Sequence, residues 1–125
     1  MTAARRKVLV ADDEPNIVTA LEFLLEKGGY EVQVARNGDE ALRLMEEGPP
    51  DLVVLDVMMP RRSGYEVSRS IRERPEWGHV KIVMLSAKGR EAEVGKGLAA
   101  GADLYVTKPF STRELLERIN GLLAR

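Results

Sequence analysis

Four short apolar runs of this chain end in side chains able to do chemistry. Lys7–Ala11 leads into Asp12-Asp13, Asp51–Leu55 into Asp56, Val80–Leu85 into Ser86, and Leu104–Thr107 into Lys108-Pro109. Singly, each is commonplace. An Asp pair after a strand most often caps a turn or helix, a Ser there is usually a turn hydroxyl, and a lone Lys or loop Asp is usually solvated. Brought together they are harder to dismiss, because three neighbouring carboxylates repel one another and need compensating positive charge. One divalent cation plus the Lys108 ammonium would cancel them. With no cysteine in the chain and oxygen-only ligands, the expected ion is hard, Mg2+ rather than Zn2+. Mg2+ also needs few protein ligands, since it keeps waters and accepts phosphate oxygens.

The elements around these residues must deliver them to one place. Five apolar, β-branched segments recur, the four above and Glu31–Ala35, and each is followed by residues at helical spacing. Ile17, Val18, Leu21, Leu24 and Leu25 share one face of a first helix, with Pro15 in its first turn and Gly28-Gly29 at its end. Asn37-Gly38 opens a second helix carrying Ala41, Leu42 and Met45, closed by Gly48-Pro49-Pro50. Ser63 with Glu66 predicts a capping box for a third, bearing Val67 and Ile71. A fourth is expected over Glu91–Ala100, containing Gly95 and Gly97, and Ser111 with Glu114 starts a fifth lined by Leu115, Leu116, Ile119, Leu122 and Leu123.

Strict alternation of strand and helix predicts a parallel sheet with helices on both faces, a doubly wound (βα)5 fold. Val8–Val10, Leu52–Leu55 and Ile82–Leu85 are continuously apolar, as interior strands are, whereas EVQVA alternates and suits a strand nearer an edge. In such a sheet the strand ends share one edge, where ligands bind. The second strand ends at Arg36-Asn37 and contributes nothing comparable.

The remaining composition is ordinary. The 125 residues are 44% hydrophobic and 31% charged with a net charge of -1, which fits one globular domain spanning 1–125 and argues against disorder or a field that attracts nucleic acid. Apolar runs reach only four residues, as in Leu52 to Leu55, and the N-terminus meets Asp12-Asp13 before a secretory core could form. The expectation is a soluble cytoplasmic protein with no direct nucleic-acid or membrane partner. Arg5-Arg6-Lys7 and Arg61-Arg62 read as solvated charge, and His79, placed before the fourth strand, as a surface histidine.

The segments KVLVADDEP, DLVVLDVMMPRRSG, VKIVMLSA and GADLYVTKPF together resemble the receiver domains of two-component response regulators, over essentially the whole chain. The resemblance implies the flavodoxin-like strand order 2-1-3-4-5. It implies that Asp56 is the phosphoacceptor, that Asp12 and Asp13 hold Mg2+ with Asp13 the more direct ligand, and that the Met58 backbone carbonyl completes the protein ligands. Ser86 and Tyr105 correspond to the switch residues, Lys108 to the phosphate-contacting lysine, and Pro109 to a proline following a cis peptide bond. Pro60 and Gly64 match the loop after Asp56, and Met58 and Lys88 flank the path of the water that attacks phosphoaspartate. The donor implied is a phosphohistidine on a sensor histidine kinase or a phosphotransfer protein. The output implied is a changed face of helix four, strand five and helix five, offered to a downstream target, an output domain or a second copy of the chain. On this reading the domain catalyses its own phosphotransfer and hydrolysis. An alternative is a phosphohydrolase with Asp56 as nucleophile, although such enzymes want a second acid where this chain has Met58.

Overall fold

The structure, a computed structural model, describes residues 5–87 and 91–124, so Lys88 and Gly89 lie outside the described residues. Strands β1 (Lys7–Ala11), β2 (Glu31–Ala35), β3 (Leu52–Asp56), β4 (Lys81–Ser86) and β5 (Leu104–Thr107) alternate with helices α1 (Pro15–Lys27), α2 (Gly38–Glu47), α3 (Gly64–Arg72), α4 (Glu91–Ala99) and α5 (Thr112–Leu123). The strands pair in parallel in the order β2-β1-β3-β4-β5. This is the doubly wound flavodoxin-like sheet, with EVQVA on an edge.

Period-two alternation splits the central strands between two cores. Val8, Val10, Leu52, Val54, Val83 and Leu85 pack against Leu21 and Leu25 of α1 and Leu115, Ile119 and Leu123 of α5. Leu9, Ala11, Val53, Leu55, Ile82 and Met84 pack on the other face, against Ala41 and Met45 of α2 and Val67 and Ile71 of α3. Burial on both faces is why these strands read as unbroken apolar runs.

Local signals set the helix starts. Pro15 occupies the first turn of α1, the Asn37 side chain accepts from the Glu40 amide, and Ser63 and Glu66 form the reciprocal capping box at α3. Ser111 Oγ accepts from the Glu114 amide at α5.

Two strands begin and end one residue later than the sequence pattern suggests. Asp51 precedes β3, and its carboxylate accepts from the Lys7 amide at 2.8 Å, holding the entry to β1 beside it. Asp56 and Ser86 are accordingly the last residues of β3 and β4 rather than the first of the following loops. Helix α4 ends at Ala99, one residue short of the expected Ala100. A 3-10 turn, Pro75–Trp77, lies between α3 and β4 where no element was expected, and its Trp77 is buried in the core on the α2–α3 side.

Candidate functional site

Parallel pairing brings the C-terminal ends of β1, β3, β4 and β5 to one edge of the sheet. Strand order reverses between β1 and β3: the chain leaves β1 for β2 on one side and returns to β3 on the other, which opens a crevice at that edge. Asp12, Asp13, Asp56, Ser86 and Lys108 all follow or terminate these strands. His79 lies before β4, at the opposite end of the sheet, and is exposed.

Asp12, Asp13 and Asp56 each offer a carboxylate oxygen, and these oxygens lie within 4.8 Å of one another. Asp12 and Asp56 are 1% and 3% exposed, whereas Asp13 faces solvent. Asp12 is held on both oxygens: Oδ1 accepts from the Glu14 amide at 2.9 Å and Oδ2 from Lys108 Nζ at 3.3 Å. Asp56 Oδ1 accepts from the Met58 amide at 3.2 Å and lies 3.5 Å from Lys108 Nζ. Met58 turns its side chain outward, 61% exposed.

Charge confirms how crowded the cluster is. The Asp56 carboxyl is pushed up from 3.8 to about 6, chiefly by burial and then by the Asp12 charge, with Lys108 and the Met58 amide pulling the other way. Burial works against the Lys108 ammonium, yet hydrogen bonding to Glu14 and the charges of Asp56 and Asp12 outweigh it and raise its pKa. One ammonium therefore serves a group of carboxylates that it cannot neutralise. Octahedral Mg2+ with ligands near 2.1 Å sets neighbouring and opposite ligand oxygens roughly 3–4 Å apart, a spacing these carboxylates can meet with small side-chain motions. The oxygen-only donor set and the excess negative charge fit a hard divalent cation.

Backbone geometry shapes the rest of the crevice. The Lys108-Pro109 peptide bond is cis, and the Lys108 amide donates to the Ser86 carbonyl at 2.7 Å, so β4 and β5 end in register. Ser86 is buried at 1% exposure. Gly64 must be glycine: a Cβ there would lie 2.6 Å from the Asp56 carbonyl oxygen, so α3 packs its first residue directly on the end of β3. Tyr105 is half-buried on β5, and its ring leaves no space for a side chain at position 97, where a Cβ would lie 2.6 Å from Cδ2.

Two residues not singled out from sequence join the candidate set. Glu14 approaches Lys108 at 3.0 Å, closer than either aspartate. Its only sequence signal is adjacency to Asp12-Asp13. The Tyr65 hydroxyl donates to Glu93 Oε2 at 3.1 Å and shares a hydrogen bond with Tyr105, tying α3 to α4 and β5. Nothing in the spacing of Tyr65, Glu93 and Tyr105 announces that contact, which depends on how three elements pack.

The family model for the response regulator receiver domain matches residues 8–120. The chain belongs to the response regulator receiver domain family. Among solved structures, a candidate response regulator from Chloroflexus aurantiacus is 35% identical, covering 98% of this chain and 100% of that one at a TM-score of 0.93. The receiver domain of a signal transduction histidine kinase from Syntrophus aciditrophicus is 31% identical, covering 95% and 90%, at 0.89. The CheX–CheY complex with beryllium fluoride and Mg2+ from Borrelia burgdorferi is 27% identical, covering 96% and 90%, at 0.87. The chain is therefore a receiver domain of a two-component system, and the alternative of an Asp-nucleophile phosphohydrolase finds no support in these relatives. The outward thioether of Met58 agrees, since it can neither donate nor take a proton. Among the described residues, no helix is long and apolar enough to cross a membrane.

Proposed function

We propose that residues 1–125 act as one receiver unit in which Asp56 is the phosphoacceptor. The observation that carries this is the placement of Asp56: buried at the end of β3, flanked by two further carboxylates and facing Lys108. An Asp56 carboxylate oxygen attacks the phosphorus of a phosphohistidine on a sensor histidine kinase or phosphotransfer protein. The O–P bond forms as the P–N bond breaks, and the imidazole nitrogen leaves with the electron pair and takes up a proton. Lys108 holds one phosphoryl oxygen and the Ser86 hydroxyl another, so charge developing in transfer meets fixed donors. Asp12, Asp13, Asp56 and the Met58 carbonyl would hold Mg2+, which supplies neutralising charge and a ligand position for a phosphoryl oxygen. Asp13 suits direct ligation, because among the described residues no hydrogen bond or ion pair engages its carboxylate, whereas Asp12 already serves Glu14 and Lys108.

Signalling follows from the extra negative charge and acceptor oxygens of phosphoaspartate. Ser86 turns toward them, Tyr105 rotates inward, and the face of α4, β5 and α5 changes for a downstream target, an output domain or a second copy. A groove of about 400 Å3 already lies on that face, between β5 and α5, and includes Tyr105, Phe110, Glu114 and Arg118. The Borrelia relative, complexed with CheX in the presence of beryllium fluoride and Mg2+, supports a partner that reads the activated state. A cytoplasmic setting accords with a donor kinase that uses ATP.

Incubation with acetyl phosphate and Mg2+, followed by intact mass, tests the assignment. One phosphoryl group should add to the native chain and none to Asp56→Asn. Full incorporation in Asp56→Asn would overturn it.

A further inference from the structure

The shortest contact of Lys108 in this site is with a residue outside the phosphoacceptor and metal set. Its Nζ lies 3.0 Å from Glu14 Oε1, against 3.3 Å to Asp12 and 3.5 Å to Asp56. The Glu14 backbone shows that this contact is built. Glu14 is the N-cap of α1, with φ -90° and ψ 111°, yet its side chain makes no capping bond to the helix. Ser, Thr, Asp or Asn normally fill that position because their short side chains satisfy the first amides of the helix. Pro15 follows at the first turn and lacks one of those amides, which lowers the demand for a cap. The Glu14 amide is itself fixed by Asp12 Oδ1 at 2.9 Å. The longer glutamate side chain is thereby anchored at its base and free to reach across the crevice.

We propose that Glu14 is a positioning residue that immobilises the Lys108 ammonium for phosphoryl transfer. The inference rests on the assignment of Asp56 as phosphoacceptor. An ammonium has three N–H donors; Glu14 and Asp12 each accept a hydrogen bond from Nζ, and Asp56 stands beside it as an ion partner at 3.5 Å. When Asp56 becomes phosphorylated, the remaining N–H donor serves a phosphoryl oxygen, while Glu14 and Asp12 keep the head in place. Glu14 has an opposing effect as well. It adds a negative charge at the mouth of a site that must admit an anionic donor, a repulsion that salt weakens. Positioning acts on the rate at saturating donor, and repulsion acts on the donor concentration needed to reach it.

Saturation kinetics with acetyl phosphate and Mg2+ separate the two for Glu14→Ala and Glu14→Gln. Glu14→Ala removes both acceptor and charge, so its maximal rate should fall about three- to fivefold, the worth of a partly exposed ion pair, while its half-saturating donor concentration also falls. Glu14→Gln keeps an acceptor oxygen without the charge, and should retain most of the maximal rate with the same gain in donor affinity at low salt. An independent readout is the 15N relaxation of the Lys108 ammonium in Mg2+-loaded protein without donor, which should show a more mobile head in Glu14→Ala than in the native chain. A merely structural N-cap would lower the melting temperature of both variants without splitting the kinetic constants. Native maximal rate together with native Lys108 relaxation in Glu14→Ala would overturn the proposal. If the native chain takes up no phosphoryl group on Asp56, the failure belongs to the phosphoacceptor assignment instead.

Discussion

At the scale of single residues, the site is organised by how dearly Asp56 holds its charge. Its carboxyl titrates at about 6 in the fold against 3.8 ordinarily, so the folded chain binds this proton more tightly than the unfolded chain does. Below about pH 4 both states are protonated and the group costs nothing. As pH rises from there through about 6 the unfolded state ionises first, and stability is lost. At neutral pH the loss is on the order of 3 kcal/mol. Urea unfolding of metal-free protein across this range should show stability falling with pH in the native chain and a flatter profile in Asp56→Asn, which should be the more stable of the two at pH 7. Equal slopes would mean that Asp56 ionises without cost. The same excess of negative charge is what a divalent cation relieves, so the strain and the chemistry share one cause.

At the scale of elements, α4 carries two glycines in opposite situations. A Cβ at Gly95 would meet nothing within 4 Å, whereas one at Gly97 would press into the Tyr105 ring and the Met84 sulfur. Gly97 is thus explained by packing, and Gly95 is left as a helix-weakening residue on an exposed face. Gly95→Ala should stabilise the protein by about 0.5–1 kcal/mol. Gly97→Ala should destabilise it by roughly 1–3 kcal/mol through overpacking, and should displace Tyr105, visible in its ring NMR shifts. Thermal melts of the two variants moving the same way would refute the contrast. Helix α4 is held to α3 and β5 through Tyr65, Glu93 and Tyr105, and the exposed Gly95 in its interior lowers its own stability. Amide hydrogen exchange in α4 should therefore be faster than in α1, α2, α3 or α5, and should change most when Mg2+ and beryllofluoride are added. Uniform exchange in the five helices, unaltered by those additions, would count against a mobile α4.

At the scale of the whole molecule, carboxylates from β1 and β3 meet across the crevice, so an ion bound by both must stabilise the sheet that joins them. A ligand that binds only the folded state adds about 2.7 kcal/mol at a hundredfold excess over its Kd. Mg2+ at such an excess should raise the melting temperature by about 10 °C for a domain of this size, reversibly with chelator. Asp13→Ala should lose most of that rise while melting close to the native chain without metal, because its exposed carboxylate is not part of either core. An undiminished Mg2+ shift in that variant would remove Asp13 from the ligand set.

The amino-acid sequence by itself determined the alternation of strands and helices, the two-sided burial of the central strands and the helix starts at Pro15, Asn37, Ser63 and Ser111, because each depends on local periodicity or capping. It also marked Asp12, Asp13, Asp56, Ser86 and Lys108 as strand-end residues, because parallel strands deliver their ends to one edge whatever their order. Tertiary structure decided what those residues touch. Asp51, just before β3, holds the Lys7 amide of a neighbouring strand, a contact across 44 positions that no local pattern encodes. Glu14 reached Lys108 across 94 positions, and Tyr65 found Glu93 and Tyr105 only once α3, α4 and β5 were packed. Side-chain reach across the crevice depends on the distances between strands and helices, and those distances are set when the two cores close.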